Sequence, residues 1–99
     1  DNAIVYVAIE NNIVIGLLWM FIRNYLTEKR LHINEVVVRQ EFRGCGVGSK
    51  LINKAIEYAK ISNLDSVDLC VSVENINALN FYKNKGFHID SYLMSLRIK

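Results

Sequence analysis

Residues 36–61 read VVVRQEFRGCGVGSKLINKAIEYAKI. The stretch opens on three β-branched residues and closes as an amphipathic helix, and between its halves stand Gly44, Gly46 and Gly48, with Arg43 before them and Ser49 after. Glycine weakens strands and helices alike, so three at such a junction need a reason. A strand that ends in a glycine-rich turn and feeds a helix presents several backbone N–H groups at the helix's positive end. Such a turn binds anions, usually phosphate. A tight turn needing positive φ would account for one glycine, whereas three beside Arg43 point to a phosphate cradle.

The flanks set the fold class. From Gly46 onward Val47, Leu51, Ile52, Ala55, Ile56 and Ala59 recur at helical spacing, with Asn63 as the stop. Before the turn LHINEVVV is a strand, and earlier still AIVYVAIENN alternates until the turn pair Asn11-Asn12, where IVIGLLWMFI resumes as a buried strand. That is a hairpin, joined to the next strand by the polar NYLTEKR. After the helix SVDLCVSV is a short apolar strand, parallel to HINEVVV by the right-handed crossover rule. ENINALNFYKNKG is a second helix with Asn75 as N-cap and Gly86 at C′, and FHIDSYLMSLRIK closes the chain as one long or two short strands. The expected class is α/β: a mixed, mostly antiparallel sheet with a central parallel strand pair and at least two helices.

Composition narrows the function. A chain of 99 residues is one domain, and a net charge of +2 with no Lys/Arg run points to neither nucleic acid nor an anionic membrane surface. The longest apolar run falls well short of the roughly 20 residues of a membrane-spanning helix. Cys45 and Cys70, placed in a loop and a strand interior, read as free thiols in a reducing cytoplasm, and His and Cys spacing gives no metal site. A Walker loop fails because the order is Gly48-Ser49-Lys50 and the earlier glycine is missing. A dinucleotide fingerprint is weak: Ser49 stands where its third glycine belongs, and Asp65 and Asp68 begin the next strand instead of ending it.

What remains is Arg43-x-x-Gly46-x-Gly48, and VVVRQEFRGCGVGSKL resembles the acetyl-CoA signature of the GNAT superfamily of N-acetyltransferases. A second segment agrees, since ENINALNFYKNKGF is similar to that family's N-x-x-A-x-x-x-Y-x-x-x-G-F helix at Asn75, Ala78, Tyr82, Gly86 and Phe87. The resemblance implies a GNAT-like fold using acetyl-CoA to acetylate a primary amine of a small molecule or peptide, without a metal. It implies that Arg43, Gly44, Cys45, Gly46, Val47, Gly48 and Ser49 hold the pyrophosphate. Val36, Val37 and Val38 would pair with the pantetheine arm, which Asn75 would bond unless it only caps its helix. Tyr82 would protonate the departing thiolate, and Glu35 would take the amine's proton directly or through water. His32 and His88 hold no matching position and read as structural or exposed; Cys45 lacks a base for an acyl-enzyme; Lys50, Lys83 and Lys85 would meet the 3′-phosphate of CoA or, the simpler reading, form ordinary helix surface. Family domains usually open with a strand and helices before the hairpin, so the chain is expected to be one domain over residues 1–99, a piece lacking those elements. The alternative functions are a non-catalytic CoA-binding module and a self-associating homodimer.

Overall fold

The structure, a computed structural model, describes residues 2–99; Asp1, with which the expected domain begins, lies outside them. Asn11 and Asn12 have φ of 51° and 64°. Two successive positive φ values make the tight turn that suits strand twist, and it joins β1 (Ile4–Glu10) to an antiparallel β2 (Ile13–Asn24). β2 in turn pairs antiparallel with β3 (Lys29–Val38). Along β2 Leu18 and Met20 are fully buried while Trp19 between them is 38% exposed.

β3 carries one residue more than its partner. Met20 faces Ile33 and Trp19 faces Glu35, which leaves Asn34 as the extra residue of a bulge. A bulge reverses the alternation of faces. Leu31 and Ile33 enter the core before it and Val36 and Val38 pack against the core after it, so Glu35 and Val37 turn to the opposite face.

α1 (Val47–Ile61) covers the core face with Leu51, Ile52, Ala55 and Ala59. Gly16 lies beneath its first turns, where a Cβ would come within 3.0 Å of Val47 Cγ1 and 3.1 Å of Leu51 Cδ1. A side chain here would make those methyl groups, and Val37 O at 3.3 Å, give way, which favours glycine. α1 stops where the sequence says it should: Asn63 has φ 57°, its N–H donates to Lys60 O, and Leu64 N donates to Ala59 O at 2.9 Å.

β4 (Ser66–Asp68) then pairs parallel with β3 through Arg30, Leu31 and His32, and α2 (Ile76–Asn84) follows, ending at Gly86 with φ 101°. Two expectations are corrected here. The strand expected to run on to Val73 ends at Asp68, which leaves Cys70 exposed outside the sheet. The closing strand or strands of FHIDSYLMSLRIK do not form: Leu93, Met94 and Leu96 are each more than 80% exposed. A strand exists only against a partner, and the short β4 supplies no such ladder. The described sheet therefore runs β1-β2-β3-β4, with the parallel pair at its edge.

Candidate functional site

The chain leaves β3 at Val38, makes a single 3₁₀ turn at Gln40–Phe42, and enters α1 through Arg43 to Gly46. Gly44 and Gly46 have φ of 84° and 85°, so the turn itself requires two of the three glycines. No atom lies within 4 Å of a Cβ built on either one. Gly48 sits in the first turn of α1 with no such backbone demand, and its nearest would-be neighbour is Val38 Cγ2 at 3.9 Å. Nothing within the fold excludes a side chain at Gly48.

The turn also leaves donors unused. Cys45 N reaches Phe42 O at 3.4 Å and Lys50 N reaches Gly46 O at 3.1 Å, but the amides of Gly44, Gly46, Val47, Gly48 and Ser49 have no acceptor among the described residues. Two cations flank them. Arg43 folds back so that its Nε donates to Val38 O at 3.2 Å. Lys85, at the end of α2, donates from Nζ to Asn53 Oδ1 at 2.8 Å and also contacts the Ser49 hydroxyl. An ammonium at the positive end of a helix is electrostatically unfavourable alone and favours an anion beside it. Sequence reading set Lys85 aside as surface, because the residues it meets are remote in the chain.

The strand leading into this turn has an open edge. Arg39 N donates to Ile15 O at 2.8 Å, so the alternating residues Val37 and Glu35 aim their backbone groups at β2, and Val36 and Val38 aim theirs the other way. β4 pairs no further along β3 than His32. Of the expected segment, Val36 and Val38 thus face the gap with their main chain; Val37 instead exposes its side chain on the far face.

The remaining candidates fall in three places. Asn75 caps α2, its Oδ1 accepting from Ala78 N at 3.1 Å. Tyr82 lies edge-on between Phe81 and Phe87, with ring centroids 5.1 Å and 5.5 Å away, and burial pushes its phenol above the ordinary value. Every buried side-chain nitrogen and oxygen among the described residues has a partner, and the Tyr82 hydroxyl has none, so that hydroxyl reaches the surface. A phenol held protonated and open to the surface is equipped to donate. Glu35 is exposed on the face opposite α1, in register with Trp19. Cys45 and His88 are exposed, and the described residues hold no group of three or more metal-binding side chains.

An open strand edge that runs into an uncapped glycine turn, with a lysine and an arginine beside it, defines an α/β domain suited to an extended ligand ending in phosphate. The chain belongs to the acetyltransferase (GNAT) family, whose family model matches residues 1–87. It is 53% identical over 62 residues to an uncharacterized N-acetyltransferase of Methanocaldococcus jannaschii, a match covering 61% of the chain and 27% of that relative. It is 33% identical over 69 residues to the thialysine N-epsilon-acetyltransferase of Sus scrofa, covering 70% of the chain and 41% of that protein. Among solved structures, glucosamine-6-phosphate N-acetyltransferase from Arabidopsis thaliana superposes with a TM-score of 0.83 at 26% identity, covering 98% of this chain and 67% of that one. The chain thus spans less than half the length of both sequence relatives.

Proposed function

We propose that this chain transfers an acetyl group from acetyl-CoA to a primary amine by direct attack of the amine on the thioester. The observation that carries the reading is the set of undonated amides at Gly44 and from Gly46 to Ser49, continuous with the main-chain edge of Val36 and Val38, which no strand covers and which only the Arg43 side chain meets, at Val38 O. The amides and Lys85 hold the pyrophosphate, Arg43 adds charge, and the strand edge pairs with the pantetheine amides. CoA supplies the activated acyl group and a thiolate leaving group. Glu35, exposed on the far face, draws in the acceptor ammonium and takes its proton directly or through water, and the Tyr82 hydroxyl protonates the departing thiolate. Cys45 stays outside the chemistry, since its exposed thiol has no basic partner among the described residues. The thialysine and glucosamine-6-phosphate acetyltransferases that this chain resembles are named for two different amines, which supports the reaction class and leaves the acceptor to experiment.

The test is thiol release from acetyl-CoA against a panel of alkylamines, aminoglycosides and peptides, with ligand-induced thermal stabilisation measured in parallel. Stabilisation with release supports the transferase. Stabilisation without release from any amine turns the chain into a CoA-binding module, and neither signal overturns the reading. Glu35→Gln should bind acetyl-CoA normally and lose about 10- to 100-fold in turnover near neutral pH, a deficit that shrinks as alkaline pH frees more amine.

A further inference from the structure

A second set of titratable groups gathers where β3 and β4 part. His32 and Asp68 are the last opposed residues of the parallel pair. His32 is only 8% exposed, packed against the Phe21 ring at 5.2 Å, and its Nδ1 lies 2.7 Å from Asp68 Oδ1. The other Asp68 oxygen faces Arg30 Nη1 at 3.6 Å, and Arg30 is held in turn by Glu28 at 2.7 Å and Asp90 at 3.3 Å. A carboxylate can only accept, so Nδ1 carries the hydrogen, and Nε2 is the nitrogen whose lone pair is left to take a proton. No buried side-chain nitrogen among the described residues lacks a partner, and Nε2 has none, so Nε2 is the corner of this ring that opens to the surface.

The bulge at Asn34 gives this corner a use. His32 and Glu35 face Phe21 and Trp19, so both project from the side of the sheet away from α1, two ladder steps or about 7 Å apart. That spacing fits one bridging water. An ordinary imidazole binds a proton about a hundredfold more tightly than an ordinary carboxylate, which makes it the better destination for a proton leaving an ammonium.

We propose that His32, held by Asp68, is the proton acceptor for the amine that Glu35 draws in. The inference rests on the acetyl-transfer reading above. The ammonium gives one proton, by way of Glu35 and water, to Nε2 of His32, and the freed nitrogen lone pair attacks the thioester carbonyl. The C–S bond breaks as the C–N bond forms. The second nitrogen proton reaches the thiolate sulfur through the Tyr82 hydroxyl, which is restored, and the imidazolium, steadied by Asp68, releases its proton to solvent. Asp68 is a positioning residue, fixing the tautomer and orientation of the ring.

The test compares the parent, His32→Gln and Asp68→Asn with two acceptors: an alkylamine, protonated at neutral pH, and an alkoxyamine, already neutral there. Both variants should lose about 10- to 100-fold in kcat with the alkylamine, lose little with the alkoxyamine, and keep the thermal stabilisation by acetyl-CoA. Added imidazole should restore part of the alkylamine rate in His32→Ala. Equal losses with both acceptors in Asp68→Asn, or an unchanged alkylamine rate in His32→Gln, overturn the proton-acceptor role and leave the transferase reading intact. A parent that releases no thiol with any amine overturns both.

Discussion

The two helices begin in opposite ways. α2 opens on Asn75, whose side chain accepts the Ala78 amide, while α1 opens on Gly46 in the left-handed region with no side-chain cap. Glycine in place of a side-chain cap costs about a few tenths of a kcal/mol, and the longer α1, with its buried face of Leu51, Ile52, Ala55 and Ala59, tolerates that loss better than the short α2 would. A capped start has already used its donors. An uncapped one at the end of an open strand edge keeps them for a ligand, and the contrast between the helices therefore separates the part of the molecule that closes on itself from the part that waits for a partner.

The comparison can be broken most severely at Gly46. Gly46→Asp sets a carboxylate among the free amides and should abolish stabilisation by acetyl-CoA, which for the parent at a hundredfold excess over Kd is about 2.7 kcal/mol. A folded variant with an undiminished melting shift would show that these donors hold no anion. Next comes Gly16→Ala beneath the first turn of α1, where the added methyl must displace Val47 and Leu51 and should cost about 1–3 kcal/mol in denaturant melts. No loss would mean that α1 does not need its close seat on the sheet.

Asn75→Ala sharpens the contrast from the other side. It should cost about 1 kcal/mol of stability and leave acetyl-CoA affinity by calorimetry unchanged, whereas a drop in affinity would give Asn75 a ligand contact in addition to its cap. The smallest effect on stability concerns Tyr82. Burial raises its folded pKa above the ordinary phenol value of about 10. Between the two pKa values the folded state holds the proton that the unfolded chain has lost, so this contribution is intact below about pH 10 and declines as pH rises toward the folded value. Tyr82→Phe should flatten that alkaline decline while slowing turnover about 10- to 100-fold. An equally steep decline in the variant would assign it to other groups.

Much of this was legible in the sequence because the signals are local. Asn11-Asn12 marked a turn that only positive φ can make, the spacing of Leu51, Ile52, Ala55 and Ala59 marked the helix, and Asn63, Asn75 and Gly86 marked helix ends. The failures share one cause: local pattern records what a segment can do, and its partners decide what it does. FHIDSYLMSLRIK has a strand's composition and no ladder to join, and SVDLCVSV pairs only over Ser66–Asp68. Lys85 meets Ser49, and His32 meets Asp68, each across 36 residues. Nor can a sequence tell whether a glycine serves a positive φ, as Gly44 and Gly46 do, or a close approach, as Gly16 does.

Asn34 gives β3 something like a reading frame. Upstream of it the odd-numbered residues Leu31 and Ile33 look inward, and downstream the even-numbered Val36 and Val38 do. Deleting that single residue would leave a plain alternating strand with every one of these side chains on the face it now holds, whereas deleting one residue between Asn34 and either end of the strand, with the bulge kept, would turn over the residues beyond the cut. Away from Asn34, lengthening or shortening β3 by two residues keeps the frame, and by one destroys it. Any alignment of this strand with an unbulged one must therefore place its gap at Asn34, or it will match inward residues to outward ones along half the strand.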